Sequence, residues 1–379
     1  MKIIVAPDSF KESLSAPHAA KAIIDGFSQI YPDAEFVSIP LADGGEGTVA
    51  AVVSARGGRV ERCTVHGARM TEVESFWGML DADQTAVIEV AAACGLEQLA
   101  PTLRNPRLTT SYGVGELIRF ALDAGATRIL VGLGGSASND AGAGMLQALG
   151  VGLLDEQGEV LPVGGAALAN LATIDMSGLD PRLKHACIEV ACDVDNTLCG
   201  PKGASFIFGP QKGADVQMTI ALDKALENFA RCCEAQLHTD LLSIIGGGAA
   251  GGLGAALSGL LGAKLRSGID LLVDLMAFDE ALDGADLVIT GEGRLDGQSI
   301  SGKTPVGVAR RSQDAHIPVI AIAGSLGPDY QRLYDHGITA IFSCVNRVDS
   351  LSSILATAEQ DLLSSARNVA ALWSMASQA

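Results

Sequence analysis

Short apolar runs that end in glycine or small polar residues lie near both ends of the chain, and a segment with helical spacing follows each of them. The first run is residues 2–6, and the helical segment after it has Ser15 as its expected N-cap. Three more runs lie at 285–293, 317–325 and 338–344. Strands that alternate with helices in this way form a parallel sheet with helices on both faces. We therefore predict that the two ends of the chain build one such sheet.

The middle of the chain has a different pattern. Residues 59–67 and 71–80 indicate paired strands with one solvated face. Because 379 residues are enough for two cores, the middle is expected to be a second domain inserted into the first. The predicted fold class is α/β: a Rossmann- or flavodoxin-like parallel three-layer domain formed by 1–66 and 285–379, with a mixed α/β domain inserted at 67–284.

One stretch, 241–263, carries no charge and is long enough to span a bilayer. Eight of its 23 residues are glycine, and GGGAAGG at its centre indicates a turn in which backbone passes close to another segment. We therefore expect a buried loop followed by a helix over 253–261, and not a membrane span.

The chain is acidic, with 26 Lys+Arg against 44 Asp+Glu and a net charge of −18. This charge disfavours nucleic acids and anionic membranes as partners. The eight cysteines include no C-x-x-C pair, so reduced thiols are expected instead of a zinc site or a disulfide framework. The apolar run at 3–6 is too short for a signal peptide, so we expect a cytoplasmic protein.

Polar loops follow the predicted strands, at the sheet edge where open α/β sheets bind ligands. The candidate residues in these loops are Asp8, Ser9, Lys11, Asp43, Glu46, Ser136, Ser138, Asn139, Asp140, Asp193, Asp195, Lys212, Glu292, Arg294, Asp296 and Lys303. Glycine-rich backbone presents N–H groups to phosphate oxygens, lysines neutralise charge, and carboxylates hold magnesium or accept a hydroxyl proton. No single loop is specific, but their recurrence at predicted strand ends favours phosphoryl transfer.

The stretch GQSISGKT at 297–304 satisfies the Walker A pattern G-x-x-x-x-G-K-[ST]. A true P-loop begins directly after a strand, whereas here the preceding apolar run ends near Thr290 and Pro305 follows the motif at once. We therefore interpret the match as coincidental, and we keep Lys303 as a candidate contact to phosphate or substrate from a loop of different shape.

Several of these stretches together resemble the bacterial glycerate kinase family. The motifs that carry the resemblance are, in order, APDSFKESLSA, LADGGEGT, GGSASNDAGAG, EVACDVDNTLCG, FGPQKGA, GGGAAGGLG and TGEGRLDGQSISGK. The resemblance as a whole runs from residue 3 to roughly residue 346. The resemblance implies ATP-dependent phosphorylation of D-glycerate, usually at the 2-hydroxyl, and two α/β domains of which one is Rossmann-like and discontinuous. One position departs from the pattern, because Ala141 stands where a second glycine is expected after Asp140.

On this resemblance we assign candidate roles to the loop residues. Catalytic roles are expected for Lys11, Asp193, Asp195 and Lys303. Cofactor binding is expected for Asp43, Gly44, Gly45, Glu46, Gly134, Gly135, Ser136, Lys212, Gly291, Glu292, Arg294 and Asp296. Metal binding is expected for Asp193, Asp195 and Glu292. The implied cofactors are ATP and Mg²⁺, the implied partner is glycerate, and a homo-oligomer stays open.

Other functions remain open at this point. Phosphorylation at the 3-hydroxyl, or of a related small hydroxy acid, would use the same kinds of residue. A metabolite-binding sensor on the same fold would bind ligand without turnover. A dinucleotide-dependent oxidoreductase is disfavoured, because the segment after the first predicted strand lacks G-x-G-x-x-G.

Overall fold

A computed structural model describes residues 1–42, 44–300 and 303–377. Its chain divides into two compact units. The first, which we call the parallel-sheet unit, comprises Met1–Asp43, Ala50–Gly57 and Ser267–Ala379. The second, the mixed-sheet unit, comprises Gly44–Val49 and Gly58–Arg266.

Strands and helices alternate along much of the chain. The strands are β1 (Lys2–Pro7), β2 (Glu35–Ser38), β3 (Arg59–His66), β4 (Glu72–Leu80), β5 (Thr85–Glu89), β6 (Arg128–Gly132), β7 (Gly152–Leu154), β8 (Thr173–Asp175), β9 (Cys187–Ala191), β10 (Lys264–Arg266), β11 (Leu287–Gly291), β12 (Arg294–Leu295), β13 (Val319–Ala323), β14 (Ser325–Leu326) and β15 (Ala340–Ser343). The α-helices are α1 (Ala16–Ser28), α2 (Thr48–Arg56), α3 (Val90–Cys94), α4 (Tyr112–Asp123), α5 (Ala143–Ala148), α6 (Ala204–Phe208), α7 (Val216–Leu237), α8 (Ala249–Leu261), α9 (Gly268–Leu275), α10 (Phe278–Ala281), α11 (Thr304–Asp314), α12 (Leu351–Ala356) and α13 (Ala358–Ser377). Short 3₁₀ helices lie at Pro101–Leu103, Gly165–Asn170, Pro181–Lys184, Pro210–Lys212, Gly297–Ile300 and Tyr330–His336.

The sheet of the first unit is parallel throughout its described strands, which lie in the order β2-β1-β11-β13-β15. Within this unit that is the flavodoxin-like order 2-1-3-4-5. Right-handed crossovers run in opposite directions from β1 to β2 and from β11 to β13, so α1 and α11 cover opposite faces. The predicted Rossmann- or flavodoxin-like three-layer arrangement is therefore confirmed.

Apolar residues explain why these segments form central strands. Ile3 and Val5 of β1 and Leu287 and Ile289 of β11 share one buried core cluster with side chains of α1 and α13. Because side chains alternate across a strand, the residues between them are buried on the opposite face. At the start of α1, the Ser15 hydroxyl accepts the His18 N–H, which confirms Ser15 as the N-cap.

The sheet of the second unit is mixed, and its described strands follow the order β10-β9-β6-β5-β4-β3. The strands β5, β6, β9 and β10 are parallel to one another, whereas β3, β4 and β5 form an antiparallel meander. The expected pairing of residues 59–67 with 71–80 is thus present as β3 with β4.

The boundaries of the two units differ from the ranges expected from sequence. We placed residues 59–66 in the first domain, but as β3 they pair along their full length with β4 of the mixed sheet. We placed residues 267–284 in the inserted domain, but they form α9 and α10, and α9 packs on α11. Polar-loop composition marks a strand end well, but it does not reveal which sheet the next element joins.

The glycine-rich stretch at 246–252 makes the close backbone approach that we expected. Ala250, Gly251 and Gly252 have left-handed backbone, and regular helix begins at Leu253. A Cβ on Gly251 would lie 2.0 Å from the carbonyl oxygen of Ser138, so only glycine fits there. Throughout the described ranges, no helix is long and apolar enough to cross a membrane.

Candidate active site

Two buried carboxylates lie at the topological switch point of the parallel sheet. Asp8 follows β1, Glu292 follows β11, and these strands are neighbours at the point where the strand order reverses. Each residue is only 8% exposed. In doubly wound folds, ligands bind beyond the carboxyl ends of the strands at this point. The position of Asp8 and Glu292 therefore marks the first candidate site.

The donors that fix the Asp8 carboxylate include a backbone N–H and a side-chain hydroxyl. The Ser9 N–H donates to Oδ1 at 2.6 Å, and the Thr304 hydroxyl donates to Oδ2 at 2.7 Å. Thr304 is the first residue of α11, is fully buried, and lies 296 positions away in the chain. The fold therefore holds Asp8 in one orientation by contacts from both ends of the sequence.

Glu292 is held by a hydroxyl and an ammonium group. Its Oε1 accepts the Ser299 hydroxyl at 2.9 Å and lies 3.4 Å from Lys303 Nζ. Burial raises the pKa of Glu292 to about 7, although Lys303 and Ser299 oppose the rise, and the charge of Asp8 adds to it. Two carboxylates that interact while buried favour binding of a cation or a proton between them.

Other predicted residues of this unit lie on the same loop, which leads from β11 to α11. Arg294 forms an ion pair with Asp296 at 3.2 Å and keeps 61% of its side chain exposed. The exposed Lys11 lies on the loop after β1. Its backbone nitrogen would lie 3.3 Å from a Cβ on Gly293. Gly291 ends β11, directly before Glu292. The structure thus brings Gly291, Glu292, Arg294, Asp296, Lys303 and Lys11 together around the switch point.

The Walker-like stretch does not have the shape of a P-loop where it is described. The short strand β12 separates β11 from Gly297, and Gly297–Ile300 is a 3₁₀ helix. In a P-loop these positions form a phosphate-wrapping loop between a strand and a helix. Ser301 and Gly302 lie outside the described residues. Lys303 and Thr304 contact Glu292 and Asp8, which agrees with a loop of different shape.

We expect Thr304→Ala to lower the free energy of unfolding by about 2–4 kcal/mol, because it removes both a buried methyl group and the hydroxyl that donates to Asp8. Thr304→Ser keeps the hydroxyl and loses only a methyl group, so its cost should be about 1 kcal/mol. Urea denaturation of both variants at neutral pH measures the difference. Equal losses for alanine and serine would show that the hydroxyl does not hold Asp8.

A second group of predicted residues lies at one edge of the mixed sheet. The parallel strands β5, β6 and β9 end at this edge, and the loop after β6 carries the GGSASND motif. Gly134 and Gly135 of that loop are exposed, whereas Ser136 and the residues up to Asp140 are buried. The exposed part of this loop is therefore its glycine turn.

A buried lysine lies beneath that turn. Lys212 is 2% exposed, and its Nζ donates to Ser136 Oγ at 3.0 Å and to the Ser138 carbonyl oxygen at 2.6 Å. Burial lowers the pKa of Lys212 to about 8. Within the described residues no carboxylate forms an ion pair with it. The charge of Asp140 offsets only part of the cost of burial. The protonated ammonium group therefore contributes a positive potential at the glycine turn above it.

The GGEGT segment packs against the same loop. A Cβ on Gly132 would lie 2.0 Å from the Gly44 carbonyl oxygen, and a Cβ on Gly134 would lie 2.9 Å from Gly45 Cα. Glu46, next in this segment, is exposed. Gly44, Gly45, Gly134, Gly135, Ser136 and Lys212 are therefore neighbours, while Asp43 lies outside the described residues.

The two aspartates of the CDVDN motif follow β9, the strand next to β6. Asp193 and Asp195 are both exposed, so the structure does not bury them as a pair. Their position at the strand end agrees with the sequence, and their catalytic and metal-binding roles stay predictions.

Asp140 is a candidate from the sequence to which no role was assigned. It is fully buried and accepts hydrogen bonds from Ser111, Thr110, Gly142 and Gly144. It holds the end of the GGSASND loop. Ala141 has the left-handed φ of 53°, which explains why glycine is the expected residue there. The backbone at Gly252 packs closely against Ala141, since a Cβ on Gly252 would lie 2.5 Å from Ala141 Cα.

A family model described as the glycerate kinase family matches residues 3–374. The chain belongs to the glycerate kinase family. A glycerate kinase of Haemophilus influenzae is 51% identical over 370 residues, which are 98% of each chain. A glycerate 2-kinase of Escherichia coli K12 is 50% identical over 371 residues, which are 98% of this chain and 97% of that protein. A crystal structure from Salmonella typhimurium LT2, of a protein provisionally named glycerate kinase 2, is 51% identical and covers 100% of both chains with a TM-score of 0.92.

These likenesses confirm the family and the fold class that the motifs implied. They extend over nearly the whole chain, so this member of the glycerate kinase family is a kinase. They leave the roles of individual loop residues as predictions. Asp8 and Thr304 received no role from the sequence, although each lies next to a residue or motif that did.

Proposed function

We propose that this chain is an ATP-dependent kinase that phosphorylates D-glycerate at its 2-hydroxyl, giving 2-phosphoglycerate. The observation that carries the proposal is the pair of buried carboxylates, Asp8 and Glu292, beside Lys303 at the switch point of a glycerate kinase family member. The name glycerate 2-kinase, borne by the Escherichia coli relative, supports the 2-position.

Phosphoryl transfer needs mainly positioning and charge stabilisation. In the proposed mechanism Lys303 turns from Glu292 toward phosphate oxygens, a short movement for a side chain that is 37% exposed and 3.4 Å from its partner. The exposed cations Lys11 and Arg294 would hold anionic groups of the ligands. Gly291 and Asp296 would shape the loop that carries these groups.

Magnesium fits the oxygen donors of this site. Mg²⁺ in kinases is bound by one or two carboxylates plus substrate phosphates and water, and does not need a complete protein cage. Asp8 and Glu292 offer two such carboxylates. When bound there, the ion would neutralise charge that develops on the phosphates. Asp193 and Asp195 remain an alternative pair of ligands, or a source of the general base.

The mixed-sheet unit would supply a second anion-binding element. Backbone N–H groups at Gly134 and Gly135 are suited to phosphate or carboxylate oxygens, and buried Lys212 adds positive potential. Ser136, Gly44, Gly45 and Glu46 would complete this element. We assign ATP to the glycine loops, and we propose that the enzyme acts in the cytoplasm on small molecules.

A coupled assay of ADP release tests the proposed function. D-Glycerate should support turnover, whereas L-glycerate and glycerol should support much less, because the site must place one hydroxyl and one carboxylate together. Binding of ATP and glycerate without ADP release would instead indicate a metabolite sensor. Turnover with glycerol equal to that with D-glycerate would contradict the substrate assignment.

A further inference from the structure

A buried carboxylate that the proposed mechanism does not use lies at the end of β5. Glu89 is the last residue of this strand and is 2% exposed. Its Oε1 accepts the Val49 N–H at 2.7 Å. The groups that act most strongly on its charge include no cation. Backbone N–H groups are therefore its main compensation for burial.

These N–H groups belong to the first turn of α2 and the loop before it. Burial raises the pKa of the Glu89 carboxyl, and the backbone N–H groups of Val49, Gly47 and Thr48 oppose that rise. The first N–H groups of a helix have no partner within the helix, and the dipole there favours a negative charge. Glu89, at the end of β5, therefore caps the N-terminus of α2.

The capped segment is the one that carries GGEGT. Gly44–Val49 belongs to the mixed-sheet unit, although the chain on both sides of it belongs to the parallel-sheet unit. Within this segment Thr48 Oγ1 donates to the Gly45 carbonyl oxygen at 2.7 Å. Gly44 and Gly45 pack closely on Gly132 and Gly134, as described above. Glu89 thus holds one end of the segment and the β6 loop holds the other.

This arrangement decides which part of the segment can meet a ligand. A free helix N-terminus is an anion site, but at α2 the Glu89 carboxylate already occupies that place. Ligand contacts are left to the half-buried Gly45 and the exposed Glu46 and Gly47. Their placement depends on how firmly the segment is held at both ends.

We propose that Glu89 is a positioning residue of the kinase: its carboxylate fixes the Gly44–Val49 segment so that Gly45 and Glu46 meet the nucleotide. The kinetic part of this inference rests on the proposed function. The mechanical part, that Glu89 holds the segment, stands on the hydrogen bond to Val49 alone.

Three variants and one control test the inference. Glu89→Ala removes the acceptor, and Glu89→Gln keeps an acceptor oxygen without the charge. Glu89→Asp keeps the charge but moves the acceptor away from Val49, and it serves if the alanine variant fails to fold. Glu116→Ala is the matched control, because Glu116 also accepts a backbone N–H of this unit, that of His66, but does not contact the segment.

Hydrogen exchange of peptides that cover residues 44–52 gives the first readout. In Glu89→Ala the Val49 amide should exchange at least about tenfold faster than in the wild type, since its hydrogen bond is lost. Glu116→Ala should leave this peptide unchanged. Unchanged exchange in the alanine and aspartate variants would overturn the inference, whether or not the protein phosphorylates glycerate.

Steady-state kinetics give the second readout. Glu89→Ala should raise KM for ATP about tenfold or more, while Glu89→Gln and Glu116→Ala should stay within about threefold of the wild type. Faster exchange with an unchanged KM would overturn the kinetic role of Glu89 alone. A glutamine variant as impaired in KM as the alanine variant, but with wild-type exchange of the 44–52 peptide, would show that the charge acts on a ligand directly and would also overturn positioning.

Discussion

Replacing Glu292 with glutamine is expected to lower kcat/KM for glycerate by about 10²- to 10³-fold, as the loss of a preorganised charge at a reacting centre does. The same substitution should make the ligand-free protein more stable at alkaline pH. Both effects have one cause. The fold buries the Glu292 carboxylate, which can bind a cation there but is poorly solvated when no cation is bound.

The direction of the stability effect follows from the pKa. Burial raises the pKa of Glu292 from 4.5 to about 7. In the unfolded chain the carboxyl loses its proton near 4.5, whereas in the folded chain it keeps the proton until about pH 7. Stability linked to the protonated form is therefore present at low pH and is lost as pH rises through 7. Between pH 4.5 and about pH 7 the free energy of unfolding falls by about 3 kcal/mol.

Glutamine cannot ionise, so Glu292→Gln should gain up to about 3 kcal/mol at pH 8 and much less near pH 5. Urea denaturation with a chelator and without nucleotide measures this gain at both pH values. Asp286→Asn is the control for the change in net charge, because Asp286 is an exposed carboxylate of the same unit. A gain in stability over the wild type that is no larger at pH 8 than at pH 5 would contradict the raised pKa of Glu292.

Lys212→Met should lower kcat/KM by about 10²-fold, because it removes a buried positive charge from beneath the glycine turn. Methionine retains most of the apolar volume, so the fold should survive. Lys184→Met provides a control, since Lys184 is an exposed lysine of the same unit. Activity of the Lys212 variant equal to that of this control would remove Lys212 from the site.

In the wild-type enzyme the charge of Lys212 should appear in the pH dependence of KM. Burial lowers the pKa of Lys212 to about 8, so the ammonium group loses its proton as pH rises through that value. Attraction for an anionic ligand is present below about pH 8 and lost above it, and the KM of the ligand held by the turn should rise there. In Lys212→Met this rise should be absent. A rise of the same size in the variant would assign it to another group.

The sequence was sufficient to predict the parallel sheet, because buried strands leave apolar runs and their polar loops lie at one edge. It also predicted that Glu292 and Lys303 belong together, since one loop after one strand carries both. It did not predict the hydrogen bond between Thr304 and Asp8, because that contact depends on β1 and β11 being neighbours.

Burial was the second property that the loop motifs did not reveal. In GGSASND only the glycines are exposed, and the polar residues after them face the interior. Lys212, a cofactor-binding candidate from the sequence, is buried. Glu89 lies within the apolar run AVIEVAAAC, where its charge gave no sign of the helix that it caps. A linear pattern records residue type, whereas burial depends on which elements pack over it.

A proton-coupled ³¹P spectrum of the product made from ATP and D-glycerate distinguishes transfer to the 2-hydroxyl from transfer to the 3-hydroxyl. The 2-oxygen is attached to a carbon that carries one hydrogen, so we expect a doublet that grows as ADP forms. A triplet would place the phosphate on the 3-oxygen, next to a CH₂ group, and the absence of any new phosphate ester would contradict the kinase assignment itself.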